Sequence, residues 1–204
     1  MIKELALKEM LSNAINIGMN YNAYREIVDD LLAEGKSTGN LQNEDMLNYS
    51  NLSVRRMKRW EKTFKLKDED KNFLTNFNKS LTFLVITEGW CGDAAHALPI
   101  IHKMEEVSGQ IDLKIVLRDE NDDLIQQFLT NGGKSIPKLI ALDGNLEVLF
   151  TWGPRPTEAT ALVNDYKTEH GALTPEFKED LQRWYNKDKG RNIVEDLKSE
   201  LKAL

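Results

Sequence analysis

The sequence predicts an α/β protein in which a mixed β-sheet of about four strands is flanked by helices. Two strongly apolar, strand-like segments, 81–87 and 111–117, enclose a helical stretch at 93–107. An Asp-Gly-Asn turn at 143–145 then separates two further strand-like segments. The strand–helix–strand order implies a parallel pair of strands and the turn implies an antiparallel pair, so the sheet is mixed.

Helical segments precede and follow these strands. Before them, apolar residues at helical spacing form one face from Leu5, Met10, Leu11, Ala14 and Ile17, and a second from Tyr24, Ile27, Val28, Leu31 and Leu32. Further helices are predicted near 43–62, 68–78, 121–131, 156–169 and 174–201. We expect residues 1–78 to form an all-helical extension packed on the core, 79–170 the α/β domain, and 171–204 a C-terminal helix.

Composition narrows the classes of function. The 204 residues are 41% hydrophobic and 29% charged, which is typical of a globular protein. A net charge of −6 argues against a nucleic-acid partner. No apolar run approaches the roughly 20 residues of a membrane helix, and the first segment is predicted to be an amphipathic helix rather than a signal peptide. A single cysteine excludes an internal disulfide, so we expect a cytoplasmic location.

The one cysteine, Cys91, stands where a predicted buried strand ends and a helix begins. Free backbone N–H groups and the positive helix end stabilise a thiolate at such a place, and the thiolate is the nucleophilic form. Pro99 lies eight residues further on, inside the helical pattern, where it is expected to kink the helix. This placement makes Cys91 the candidate catalytic residue.

Two motifs carry a resemblance to the thioredoxin-like superfamily. Trp90-Cys91-Gly92 with Pro99 resembles its active-site helix, and Ile136-Pro137 before a strand resembles its cis-proline loop. The resemblance covers about residues 78–170. It is strongest to bacterial proteins called "thioredoxin family protein", which have a helical N-terminal extension and a Trp-Gly-Pro-Arg-Pro segment, here 152–156. It implies a substrate groove shaped by Trp90, Gly92, Asp93, Ile136 and Pro137 beside Cys91.

Departures from the family pattern limit the chemistry. Thioredoxins carry a second, resolving cysteine three residues after the first, where this chain has Ala94. A buried acid that they often hold six residues before the cysteine is replaced by Val85. The single-cysteine Trp-Cys-Gly-Asp-Ala motif therefore predicts a monothiol protein, whose partner is a protein or a low-molecular-weight thiol or disulfide. Asp93 favours the helix but opposes thiolate formation, and the sequence does not decide between these effects.

Other interpretations stay open or are weak. Cys91 is also compatible with a small buried residue in a non-catalytic binding module that uses the thioredoxin groove, or with a disulfide-linked dimer formed on oxidation. His96, His102 and His170 show no zinc-ligand spacing with Cys91, and no cofactor or metal is expected. Gly35-Lys36-Ser37 lacks the remainder of a phosphate-binding loop. The basic run Arg55, Arg56, Lys58 and Arg59 is interpreted as a solvated helix face.

Overall fold

A computed structural model describes residues 2–204, with side chains described from residue 4 onward. Four helices precede the first strand: α1 (Ile2–Ile17), α2 (Tyr21–Ala33), α3 (Glu44–Thr63) and α4 (Asp68–Asn76). The central part contains β1 (Leu81–Thr87), α5 (Gly92–Ser108), β2 (Ile111–Leu117), α6 (Asp122–Gln126), β3 (Lys138–Leu142) and β4 (Val148–Trp152). The chain then forms α7 (Thr157–His170), α8 (Pro175–Asp188) and α9 (Arg191–Ala203).

The four strands form one mixed sheet in the order β2-β1-β3-β4. β1 pairs in parallel with β2 and antiparallel with β3, which pairs antiparallel with β4. The two inner strands are almost wholly buried, in agreement with their apolar sequences. The predicted fold class, a mixed sheet of four strands flanked by helices, is confirmed.

The helices before the sheet pack against its elements. α3 runs along α5, which α4 and α9 also contact. Between α1 and α2, Met19 exchanges two backbone hydrogen bonds with Ile115 of β2, at 2.9 and 2.8 Å. This bridge satisfies backbone groups on the outer side of an edge strand, which would otherwise be open to pairing with another chain. The domain boundaries at 78 and 170 stay predictions.

Two predicted helices differ from the observed ones. The helix expected at 121–131 ends at Gln126, because Thr130 and Gly133 exchange backbone hydrogen bonds in a tight turn. The helix expected at 174–201 is divided into α8 and α9, because Lys189 and Gly190 take left-handed backbone angles, with φ of 59° and 77°.

The predicted apolar faces of the first two helices are also only partly buried. Leu11 and Ala14 lie in the core, whereas Leu5 and Ile17 are exposed. On α2, Tyr24 and Val28 are buried and Ile27 is exposed at 38%. The buried stripe on each helix is therefore narrower than the hydrophobic periodicity predicted.

Candidate active site

Cys91 caps the N-terminus of α5, directly after the turn that follows β1. Its Sγ accepts a hydrogen bond from the backbone N–H of Ala94 at 3.4 Å. The first N–H groups of a helix have no partner within the helix, so a side chain in this position normally satisfies one of them. Here the capping atom is also the chain's one sulfur nucleophile.

The loop before β3 brings a second predicted motif to the thiol. The Ile136–Pro137 peptide bond is cis, and the Cys91 thiol donates a hydrogen bond to the carbonyl oxygen of Ile136 at 3.3 Å. Residues far apart in sequence are thus in direct contact, because β1 and β3 are neighbours in the sheet. A thiol that donates to a carbonyl oxygen carries its proton, so the resting site holds a neutral cysteine.

The electrostatic surroundings oppose ionisation of this thiol. Cys91 is 6% exposed. Burial, and next the negative charge of Asp93, raise its pKa to about 12, although backbone N–H groups and Arg155 act in the opposite direction. The helix N-terminus therefore does not suffice to form a thiolate at neutral pH.

Asp93 is part of the site and joins three parts of the chain. Its carboxylate forms an ion pair with Arg155 at 2.8 Å and accepts a hydrogen bond from the Tyr185 hydroxyl at 3.0 Å. The Asp93 side chain is only 12% exposed, and burial raises its pKa while Arg155 lowers it. Asp93 thus fixes α8 and the segment after β4 against the start of α5.

Gly153 lets the segment after β4 approach the cis-proline loop. A Cβ atom at this position would lie 2.2 Å from the carbonyl oxygen of Pro137, and its φ is +107°. Both the short distance and the backbone angle require glycine. The close approach in turn places Arg155, two residues on, beside the active-site helix.

Trp90, which precedes Cys91 in the chain, is half-buried. The Arg118 guanidinium lies over its ring, 5.0 Å from the ring centroid. Asp119 holds that guanidinium in an ion pair at 2.8 Å.

A cavity of about 560 Å³ lies over the thiol. Of the residues predicted for the site, Trp90, Cys91, Gly92, Asp93 and Ile136 line this cavity, whereas Pro137 does not. Its side walls come from α3 and α8 and from the segments beside them; these contribute Tyr49, Leu52, Arg56, Leu173, Lys178, Glu179, Leu181 and Gln182.

Sequence reasoning missed two residues at or near the site. Arg56 was predicted to lie on a solvated helix face, but it is half-buried and lines the cavity, while Arg55, Lys58 and Arg59 of the same run are exposed. Glu88 was not singled out, although it is wholly buried three residues before Cys91. An acidic residue at the end of an otherwise apolar strand segment was the available signal for Glu88.

A sequence model described as thioredoxin matches residues 39–167. The chain belongs to the thioredoxin family. A protein of unknown function from Pseudomonas aeruginosa shares the fold, with 16% identity and a TM-score of 0.63 over 94% of this chain and 96% of that one. An HIV epitope-scaffold matches with 16% identity and a TM-score of 0.63 over 95% and 98%. No curated protein matches the chain.

Within the thioredoxin family, this chain lacks two parts of the dithiol pattern. Ala94, at the position of the second cysteine, is buried and has no thiol. Val85, at the position of the buried acid, is an apolar core residue of β1. Glu88 is instead a buried acid near the site: its Oε1 accepts from the backbone N–H of Asp119 at 2.9 Å, and burial raises its pKa.

The structure gives the histidines no role beside Cys91. His96 is held by Trp60 and Gln182, through hydrogen bonds of 2.8 and 2.7 Å. Among the described residues, no three His, Cys, Asp or Glu side chains gather as a metal site requires. No helix of the described chain is both long and apolar enough to cross a membrane.

Proposed function

We propose that this thioredoxin-family protein is a monothiol protein that exchanges disulfides through Cys91. The Cys91 thiolate attacks one sulfur of a partner disulfide. That sulfur–sulfur bond breaks, a Cys91–partner disulfide forms, and the other partner sulfur leaves as a thiolate that takes up a proton. The partner disulfide is the oxidant. It is either a disulfide in a protein or the disulfide form of a low-molecular-weight thiol.

The contact between Cys91 and Ile136 is the observation that carries this proposal. The sulfur lies 3.3 Å from a backbone carbonyl of the cis-proline loop and at the floor of a cavity. A partner sulfur entering the cavity therefore meets the nucleophile between the active-site helix and this loop. An in-line approach to a disulfide needs such an open side next to a fixed nucleophile.

The high pKa of Cys91 sets the expected rate. With a pKa of about 12, only a very small fraction is thiolate at neutral pH. A more basic thiolate is also a stronger nucleophile, which offsets part of this loss. Together these effects make exchange at pH 7 roughly a hundredfold slower than for an ordinary free cysteine.

Release of the mixed disulfide needs a second thiol that this chain does not supply. Ala94 occupies the resolving position, and its backbone N–H already contacts Sγ of Cys91. An external thiol must therefore attack the Cys91 sulfur and return it to the reduced state. The proposed exchange therefore requires a reducing compartment that contains such thiols, such as the cytoplasm.

A thiol-transfer assay tests the proposal with two variants. Cys91→Ser removes the nucleophile and abolishes transfer, whereas equal activity in wild type and Cys91→Ser overturns the proposal. Ala94→Cys places a thiol at the resolving position. We expect it to release the partner without external thiol and to form an internal disulfide between positions 91 and 94, while wild type retains its adduct.

A non-catalytic binding module is the second candidate, and the burial of the thiol favours it. Cys91 is 6% exposed and its thiol donates a hydrogen bond to the carbonyl oxygen of Ile136, as the thiol of an inert core cysteine does. On this alternative, the folded protein forms no mixed disulfide at any pH at which it stays folded. Treating the folded wild type with a disulfide at pH 9 and measuring whether a mixed disulfide forms on Cys91 distinguishes the two candidates.

A further inference from the structure

The cavity over Cys91 has an excess of positive charge in an acidic protein. Its lining includes the cationic side chains of Arg56, Arg118, Lys134, Arg155 and Lys178, against the acidic side chains of Asp93 and Glu179. Arg118, Lys134 and Arg155 form ion pairs with Asp119, Asp122 and Asp93, so among the described residues Arg56 and Lys178 supply the unpaired positive charge. The whole chain carries a net charge of −6. A cationic cavity in such a chain favours an anionic ligand.

We propose that this cavity selects a low-molecular-weight disulfide that carries carboxylate groups, and that Arg56 is the specificity residue that binds them. This inference rests on the proposed disulfide exchange at Cys91 and names its substrate class. The carboxylates would be held on the cationic wall while one sulfur of the ligand reaches the cysteine.

Arg56 has the placement that this role requires. Its Nη1 lies 3.0 Å from the position that a Cβ atom on Gly92 would take, so the guanidinium reaches the residue next to Cys91. Among the described residues, no carboxylate lies within 4.0 Å of it to form an ion pair. A half-buried guanidinium without an ion pair keeps its donors available for a ligand carboxylate, which it binds with two parallel hydrogen bonds.

A second guanidinium, that of Arg155, borders the same cavity and forms an ion pair with Asp93 through Nη2. Because that ion pair neutralises Asp93, the nearest acidic side chain does not cancel the charge of Arg56. On the far side, Arg118 is fixed over the Trp90 ring by Asp119.

The size and walls of the cavity favour a small molecule. A volume of about 560 Å³ lies in the range of small-molecule sites, which is roughly 300–1,000 Å³. Tyr49 and Leu52 of α3 and Leu181 of α8 contribute apolar surface to its lining.

Three disulfides that differ in charge test the inference. Wild-type protein is incubated at pH 8.5 with glutathione disulfide, which is anionic, with neutral 2-hydroxyethyl disulfide, or with cationic cystamine, and the Cys91 adduct is followed by mass spectrometry. We expect the anionic disulfide to react fastest and cystamine slowest, with about a tenfold difference or more, since a hydrogen bond to a charged group is worth at least this factor. Added salt reduces the difference.

Three arginine variants locate the selectivity. Arg56→Gln slows the reaction with glutathione disulfide severalfold more than that with 2-hydroxyethyl disulfide, so the ratio of the two rates, rather than either rate alone, measures carboxylate binding. Arg56→Lys retains a positive charge and so keeps part of the preference. Arg183→Gln, which removes an exposed arginine outside the cavity, is the matched control and changes neither rate.

The possible failures are distinguishable. If the three disulfides react at equal rates or in any other order, the charge selection is wrong while the exchange at Cys91 stands. An unaltered preference in folded Arg56→Gln overturns the assignment of Arg56. If none of the three modifies Cys91, the proposed disulfide exchange itself is wrong.

Discussion

The indole N–H of Trp60 donates a hydrogen bond to Nδ1 of His96 at 2.8 Å, and so connects α3 to the active-site helix. Because an indole N–H is only a donor, Nδ1 is the acceptor and the proton of the neutral ring lies on Nε2, which donates to Gln182. The imidazole also stacks on Tyr185, with ring centroids 4.2 Å apart. The neutral form of His96 thus joins α3, α5 and α8.

Acid is predicted to destabilise the protein through His96. Burial lowers the pKa of His96 to about 3, from 6.5 for an ordinary histidine. The unfolded chain therefore binds a proton between about pH 6.5 and pH 3 that the folded chain does not. The contribution of neutral His96 to the free energy of unfolding is fully present above pH 6.5. Below that pH, the titration of His96 lowers the free energy of unfolding by roughly 1.4 kcal/mol per pH unit. Urea unfolding between pH 7 and pH 4 measures this slope.

Replacing His96 separates its titration from its hydrogen bonds. His96→Phe keeps a ring on Tyr185 but leaves the buried Trp60 N–H without an acceptor, at a cost of about 1–3 kcal/mol at pH 7. Its stability should depend less on pH between 6.5 and 4 than that of wild type. His170→Gln, which changes a half-exposed histidine, is the control and should retain the wild-type slope. Equal slopes for all three proteins contradict the assignment.

Alkylation of Cys91 is predicted to rise steadily with pH. Because the pKa is about 12, the rate with iodoacetamide should increase about tenfold per pH unit from pH 7 to 10 without a plateau, whereas an ordinary thiol levels off above its pKa near 8.5. The folded chain retains the thiol proton where the unfolded chain loses it, so this group also removes stability as the pH rises from about 9 towards 12.

Asp93→Asn should shift that profile to lower pH. The substitution removes a negative charge that raises the Cys91 pKa and leaves the Arg155 charge without its ion pair. Both effects favour the thiolate, so alkylation at pH 8 becomes faster. Tyr185→Phe removes a hydrogen bond to Asp93 but keeps both charges, and its profile should stay close to that of wild type. A profile unchanged in Asp93→Asn would show that this carboxylate does not act on the thiol.

Gly153→Ala is predicted to destabilise the fold by more than about 2 kcal/mol, because the new methyl group meets the Pro137 carbonyl and the backbone angle disfavours a side chain. Gly144→Ala is the matched control, since nothing lies within 4 Å of its Cβ position. We expect it to change stability by less than about 0.5 kcal/mol. Urea unfolding curves of the two variants provide the comparison, and similar costs would contradict the proposed close approach.

The sheet was predictable because its signals are local. β1 and β2 are continuous apolar or alternating segments, and the turn at 143–145 specifies the hairpin that joins β3 to β4. The break between α8 and α9 was not predictable in this way. A Cβ atom on Gly190 would lie 2.4 Å from Cδ1 of Ile100, so the close packing of this turn against α5, which the sequence does not show, favours glycine there.

The candidate site likewise contains residues that the sequence predicts and residues that only the folded structure shows. Cys91, Ile136 and Pro137 belong to local motifs, and the sequence was sufficient to single them out. Arg56 lies in a basic run whose other members are exposed, so only the packing of α3 along α5 shows that its guanidinium enters the cavity. The protonation of the Cys91 thiol also depends on its burial in the folded chain. Burial raises the pKa of Cys91 by more than the helix N-terminus, which the sequence predicts, lowers it.

Mass spectrometry of the folded protein after treatment with glutathione disulfide at pH 9 tests disulfide exchange at Cys91 most directly. We predict one adduct, located on Cys91, that persists when excess disulfide is removed and disappears when dithiothreitol is added. Protein unfolded in urea serves as the control for the reactivity of the accessible thiol. Complete modification of the unfolded control, with no adduct on the folded protein after a period about a hundredfold longer, would contradict the account.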